Sequence, residues 1–164
     1  MDFKNIVNAN SAKYKKWEIN KHYSGKFVEV GRKLKSQKLG FHIQTLAPNK
    51  FSCPYHYHNA EEELFFVIEG EATMRQNNQY CKVGEGDLIY FGLGKEYAHQ
   101  FYNHTDKPFK FLAISNKDKL DTAVYPDSDK IIIRKSRQLF KQSDAVSYLT
   151  DEENPKSYWD EKYL

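Results

Sequence analysis

The sequence predicts an all-β protein, an antiparallel β-sandwich barrel with irregular arms at both ends. Three observations carry that prediction. Twelve Tyr and eleven Phe among 164 residues favour the pleated, half-buried surface of strands. At least seven short apolar or alternating runs are separated by regular turn signals, with almost no helical period between them, which is the spacing of a sandwich or barrel. The length suits one domain with a full-sized core.

Each element follows from its own residues. Residues 1–25 show no clear period and read as an N-terminal arm. Phe27, Val28 and Val30 begin the first strand-like run, and the basic, turn-rich stretch Gly31 to Gly40 follows. Leu39 to Leu46 alternates loosely and ends at the turn signal Pro48-Asn49. Residues 55–58 form a short polar-aromatic strand turned by Asn59-Ala60. Glu63 to Ile68 is a dense apolar strand stopped by Glu69-Gly70. Ala72 to Gln76 and Gln79 to Val83 flank Asn77-Asn78, and because Asn tolerates positive φ this reads as a two-residue hairpin. Leu88 to Phe91 lies between the glycine turns Gly84–Asp87 and Gly92–Gly94. His99 to Asn103 and Phe109 to Ser115 complete the set. Ile131 to Ile133 can add a strand, and Lys135 to Thr150 is expected to hold a short helix. The expected organisation is an N-terminal arm over 1–25, the barrel over 26–134, and a C-terminal extension over 135–164 packed on the barrel or on a partner.

Composition excludes several classes. A formal charge of +3, with Lys and Arg interspersed among Asp and Glu, is a solvated mixed surface rather than a nucleic-acid footprint. The longest apolar run, Leu64 to Ile68, is far too short to span a membrane. The stretch Met1-Asp2-Phe3-Lys4-Asn5 lacks the apolar segment of a signal peptide, so a cytoplasmic location is expected. Two cysteines, Cys53 and Cys81, make neither a disulfide framework nor a thiolate zinc site.

The chemistry concentrates in His56-Tyr57-His58-Asn59-Ala60-Glu61-Glu62-Glu63. Positions i and i+2 of a strand point the same way, so His56 and His58 present two imidazoles on one face. After a tight turn the next strand can return a carboxylate toward them. Glu63 shares strand parity with the inward Phe65 and Val67, whereas Glu62 has the opposite parity and Glu61 lies in the turn, so both are expected to face solvent or make surface pairs. His99, on a later strand, can supply a third imidazole. Cys53 reads as a buried small residue, with no base placed beside it by spacing.

These residues resemble the cupin superfamily. The first cupin motif, Gly-x5-His-x-His-x3or4-Glu-x6-Gly, is matched by His56-x-His58-x4-Glu63-x6-Gly70. The second, Gly-x5-Pro-x-Gly-x2-His-x3-Asn, is matched by Gly86-x5-Gly92-x-Gly94-x4-His99-x3-Asn103. The resemblance covers roughly residues 40–115. Three departures stand out: Lys50 replaces the first leading glycine, Gly92 replaces the proline, and the loop before the second-motif histidine is two residues longer, which puts Tyr97 at the strict histidine position. The longer loop and Tyr125-Pro126-Asp127-Ser128-Asp129 look like a poorly characterised group of single-domain bacterial cupins.

The resemblance implies one divalent transition metal (Mn, Fe, Ni, Co, Cu or Zn) on His56, His58, Glu63 and His99. Such a site can serve a metal-dependent enzyme acting on a small organic molecule, of oxygenase, isomerase or lyase type. The alternative is a non-enzymatic module that binds or senses a small molecule or metal. Tyr97 is a candidate catalytic group, and His42, Gln44, Phe65 and Phe101 are candidates to line a substrate pocket. An isomerase acting on a sugar phosphate would want a cation aimed into the barrel, and Arg75 is the only arginine in the barrel strands. A homodimer is expected, since an open sandwich has edges that proteins cover or pair.

Overall fold

Alternation of inward apolar and outward polar residues sets the architecture. The structure is a computed structural model describing residues 4–164, so the first three residues of the expected N-terminal arm lie outside it. The strands are β1 (Lys15–Asn20), β2 (Tyr23–Val28), β3 (Leu39–Leu46), β4 (Tyr57–His58), β5 (Glu63–Glu69), β6 (Glu71–Gln76) and β7 (Gln79–Gly84). They continue with β8 (Leu88–Phe91), β9 (His99–Tyr102), β10 (Phe109–Asn116), β11 (Thr122–Tyr125), β12 (Lys130–Ile133) and β13 (Gln138–Lys141). One helical turn, α1 (Val30–Lys33), follows β2.

One layer is a six-stranded sheet of order β1-β2-β3-β10-β5-β8. The other is assembled from β7-β6-β9 and β13-β12-β11-β4. The segment running into β4 pairs with β9 through the antiparallel bridges Phe51–Tyr102 and His56–His99, and this joins the two smaller sheets. All pairings of named strands are antiparallel.

Between the layers, Phe65 and Val67 of β5 meet Phe109 and Phe111 of β10, Phe91 of β8 and Phe101 of β9. The Phe65 ring centroid lies 5.3–5.5 Å from those of Phe91, Phe101 and Phe111, the spacing at which aromatic rings attract beyond simple area burial. Each buried Phe contributes roughly 1.5–3 kcal/mol from its transfer out of water. The opposite face of the large sheet is partly covered by α1 and by Val7, Ala9, Ala12 and Tyr14 packed toward Val28, Val30 and Ile43. Among the described residues no helix is long and apolar enough to cross a membrane.

The strands expected over 39–46, 63–68, 72–76, 79–83, 88–91 and 109–115 form with boundaries shifted by a residue or so. Asn77 and Asn78 both take positive φ, 45° and 58°, as the hairpin requires. Elsewhere the outcome differs. Lys15–Asn20 is a strand paired with β2, although it shows no apolar period. Val30 opens α1 instead of extending β2. Lys135–Thr150 is not a helix: Gln138–Lys141 is a strand, followed by a single 3₁₀ turn at Gln142–Asp144. The edge of β12 offers unpaired backbone groups, and the returning chain satisfies them, with Phe140 opposite Ile131 and Leu139 opposite Ile132. Thr122–Tyr125, too short to read as a strand, is held between β12 and β4.

Gly70 and Asn103, which end the two motifs, are structural. Gly70 has φ +80°, and a Cβ there would lie 2.4 Å from the Pro108 carbonyl oxygen. Only glycine lets β5 turn into β6 against that backbone. Asn103 is fully buried. Its Nδ2 donates to the carbonyls of Leu46, Ala47 and Lys107, and its Oδ1 accepts from the Thr105 N–H and hydroxyl. Asn103→Ala strands those groups out of water, and we expect it to lower the unfolding free energy by about 2–4 kcal/mol. Urea denaturation checks this: the midpoint should fall with the slope unchanged.

Candidate metal centre

Pairing of His56 with His99 brings the two motifs together. Their backbones exchange hydrogen bonds in both directions, His99 N–H to His56 C=O at 2.8 Å and His56 N–H to His99 C=O at 3.2 Å. Strand parity points His58 to the same side, and the ring centroids of His56 and His58 are 5.0 Å apart. Glu63, at the start of β5, closes the group from the opposite sheet. His56, His58 and Glu63 offer ligand atoms all within 4.8 Å of one another. The His99 Nε2 is 3.2 Å and the His58 Nε2 3.7 Å from Glu63 Oε2.

Each imidazole is held by its other nitrogen. His56 Nδ1 donates to the Pro54 carbonyl at 3.0 Å and His99 Nδ1 to the Tyr97 carbonyl at 3.0 Å. His58 Nδ1 donates to Asp121 Oδ2 at 2.6 Å. These bonds assign the proton to Nδ1 in all three rings and leave every Nε2 as a lone pair. His99 is fixed further by stacking on Phe91, with centroids 3.6 Å apart and planes 5° from parallel, and Tyr125 stacks on His56 at 5.8 Å.

That tautomer pattern tests whether a metal fits. Glu63 Oε2 is buried with no hydrogen-bond partner, and the atoms nearest to it are the lone-pair nitrogens of His58 and His99. Acceptors facing acceptors at this distance, out of water, are costly. A divalent cation shared among three Nε2 atoms and one carboxylate removes the conflict, and ligating histidines whose second nitrogen is anchored are the usual form of such sites. The residues fit the group.

Electrostatics favour a neutral His56 and an ionised Glu63, while Asp121 and its neighbouring carboxylates favour protonation of His58. Burial, with His99 and His58 close by, lowers the His56 imidazole to about 3 although Glu63 opposes the shift. For Glu63 burial pushes the carboxyl up, but the three histidines outweigh it and hold it at about 2. Burial draws His58 down, yet its bond to Asp121 and the carboxylates of Glu63, Asp121 and Glu61 outweigh burial and leave it raised.

Asp121 was not legible in the sequence. It is fully buried, its Oδ1 accepts from the N–H groups of Ala60 and Glu61, and Arg134 Nε lies 3.8 Å from Oδ2. No spacing links it to the histidines: it reaches His58 only because β11 pairs with β4. Glu61 corrects an expectation. It is buried rather than solvent-facing, accepting from the Asp118 N–H and pairing with Arg134 at 3.4 Å. Glu62 is exposed as expected and accepts from the Tyr90 hydroxyl.

The cluster opens on a cavity of about 500 Å³. His42, Gln44, Phe65 and Phe101 all line it, with Tyr125, Arg134 and Lys117 at other points of its wall. Tyr97 does not line it. Its ring packs over Gly92, where a Cβ would approach the ring to 2.8 Å, and only its backbone carbonyl serves the site. Two departures from the second motif are thereby one feature: the longer loop folds Tyr97 onto the place that the motif's proline would fill. Arg75 lies outside this cavity, bonded to Asp127 and stacked 3.8 Å over Tyr55. Cys53 Sγ is 3.6 Å from His56 Nδ1, but that nitrogen already serves Pro54, and burial pushes the thiol up to about 12. Cys53 is therefore a neutral packing group.

Comparison with known proteins bears on the fold. Residues 42–115 match the family model described as "Cupin domain". Dimethylsulfoniopropionate lyase DddQ of Ruegeria pomeroyi is 32% identical over 80 residues, covering 46% of this chain and 37% of that protein. The chain spans less than half the length of the curated relatives it matches. A provisionally assigned sugar phosphate isomerase from Acidithiobacillus ferrooxidans superposes with TM-score 0.80 at 22% identity, over 88% of this chain and 96% of that one. A sugar phosphate isomerase of the cupin superfamily from Silicibacter pomeroyi gives TM-score 0.75 at 20% identity, over 87% and 97%. At such identity the superpositions establish the fold.

The tautomer assignment makes a prediction for the metal-free protein. By long-range ¹H–¹⁵N NMR, His56 should carry its proton on Nδ1 and stay neutral from pH 8 to pH 5. Its folded value of about 3 lies below the ordinary 6.5. The folded state therefore binds fewer protons than the unfolded one between those values. This histidine contributes stability above pH 6.5 that is lost as pH falls toward 3. A His56 resonance titrating near 6.5 would contradict the assignment.

Proposed function

We propose that this chain, whose residues 42–115 match the cupin domain family, is a metal-dependent enzyme acting on a small oxygen-bearing organic molecule by isomerase- or lyase-type chemistry. The observation that carries this reading is the convergence of three anchored imidazole lone pairs and one buried carboxylate on the floor of a cavity large enough for a small molecule. His56, His58, Glu63 and His99 would hold one divalent transition ion. Three neutral nitrogens and one carboxylate suit Mn, Fe, Co, Ni, Cu or Zn alike, so the ligand set does not choose among them. A metal so bound supplies Lewis acidity toward a substrate carbonyl or enolate oxygen, since four protein ligands leave coordination positions open.

The remaining work falls to the chain's own residues. Phe65 and Phe101 exclude water around the ligands and lower the local dielectric, which strengthens every charge interaction at the site. His42 and Gln44 on β3 offer hydrogen bonds to orient a polar substrate, and Tyr125 offers a hydroxyl that burial keeps protonated. This polar wall favours proton-moving chemistry over an oxygenase, which would call for a more uniformly apolar pocket. The other reading is a binding module that grips a small molecule at the same open site without turnover. On either reading the protein acts as a homodimer in the cytoplasm, without nucleic-acid or membrane partners.

Elemental analysis of gently purified protein should give about one transition metal per 19.3 kDa chain. Protein that fails to retain or take up Mn, Fe, Ni or Zn would sink the proposal. His99→Ala should weaken metal binding far more than Tyr97→Phe, and Asp121→Asn should weaken it about 10–100-fold by releasing His58; competition with a chromogenic chelator reads all three. Metal-loaded protein screened against small carbonyl, hydroxy-acid and sugar substrates separates the two readings, since a ligand recovered unchanged under every metal condition identifies the binding module.

A further inference from the structure

Beyond the metal centre, the two ends of the described chain carry opposite charge. Residues 4–38 hold ten Lys and Arg against two Glu, whereas residues 142–164 hold six Asp and Glu against two Lys. The C-terminal segment also shows large apolar side chains to solvent: Tyr148 is 96% exposed, Tyr158 71%, Trp159 62% and Tyr163 71%. It has internal order, with 3₁₀ turns at Pro155–Tyr158 and Glu161–Tyr163. Every hydrogen bond recorded for residues 144–164 stays within the segment. A segment with four exposed aromatic rings and, past the bonds of Gln142 and Ser143 to Asp129, no hydrogen bond to the barrel is suited to meet another surface.

The basic end offers one. At the β1–β2 edge a groove of about 570 Å³ has an apolar floor of Trp17, Leu46, Pro48 and Pro108, with Lys16 and Lys26 on its rim. Glu18 is the single acid lining it. The exposed apolar face of Leu64, Phe66, Leu88 and Tyr90 on β5 and β8 suits the segment less well. It is bordered by the exposed acids Glu62, Glu85 and Asp87, which repel an acidic chain. We propose that in a homodimer the acidic, aromatic segment 142–164 of each copy docks on the lysine-rimmed Trp17 groove of the other. This deepens the dimer reading given above and rests on it. Four aromatic side chains bring on the order of 500 Å² per segment. Counted over two reciprocal contacts and both partners, that is about 2,000 Å², the area of a specific, stable interface.

Two measurements on the full chain test it. In sedimentation equilibrium, Lys16→Glu/Lys26→Glu and Asp160→Lys/Glu161→Lys should each raise the dimer dissociation constant at least tenfold. Combining all four changes in one chain should restore most of the loss, because the charges are again opposite. A wild-type mass near the monomer at micromolar concentration overturns both the dimer and the docking. A dimer indifferent to all of these variants keeps the dimer and overturns the docking. Zero-length carbodiimide coupling on a mixture of ¹⁴N and ¹⁵N chains then reads the geometry. Mixed-isotope links between Lys16 or Lys26 and Asp160 or Glu161 are expected, and links confined to single-isotope chains would show the segment folding back on its own barrel and overturn the proposal.

Discussion

The site turns on the buried carboxylate of Asp121. One oxygen takes the proton-bearing nitrogen of His58 at 2.6 Å. The other closes the turn between β4 and β5 by accepting from Ala60 and Glu61. A single side chain therefore fixes the tautomer of neutral His58 and the path of the backbone that separates it from Glu63. Burial pushes this carboxyl up, but its bonds with His58 outweigh burial and hold it ionised. The compensating cation, Arg134, comes from just beyond β12 and also meets Glu61. Asp121, just before β11, and Arg134, just after β12, are in this way structural parts of the candidate metal centre.

With all three imidazoles neutral, a cluster of three imidazoles and a carboxylate under an aromatic core is locally unfavourable without a cation, because four groups compete to accept and none is left to donate. The fold carries that conflict by surrounding it with well-packed, satisfied structure. Phe91 and Phe101 are almost wholly buried against it, and the Asn103 side chain closes the end of β9 with a complete set of hydrogen bonds. Local strain of this kind is sustained where the rest of the structure over-determines it, and it collects at functional sites.

Likeness to sugar phosphate isomerases at TM-scores of 0.80 and 0.75 and to a lyase over part of the chain places the fold but not the reaction, since one fold hosts many chemistries. The cavity carries its own set of wall residues. Its cavity cations, Arg134 and Lys117, lie outside β1–β10, while Arg75 is turned to the surface by Asp127 and Tyr55. The cations of the cavity wall thus come from segments that follow β10.

Resemblance to the cupin motifs supplied His99, while by itself the sequence determined most strands of the barrel, the hairpin at Asn77-Asn78, and the alternation that turns His56 with His58 and Glu63 with Phe65 and Val67. These are local properties, written in a two-residue period and in turn residues whose backbone preferences act within a few positions. Tertiary structure alone decided the rest. Asp121 reaches His58 across 63 residues because β11 happens to pair with β4, and Glu61 is buried because Arg134 arrives beside it. Tyr97 is drawn off the cavity by the space over Gly92. Lys15–Asn20 and Gln138–Lys141 become strands because neighbouring edges offer unpaired backbone groups, although their own residues carry no apolar period. Long-range pairing of this kind leaves no periodic trace, since its energy resides in partners that only the fold supplies.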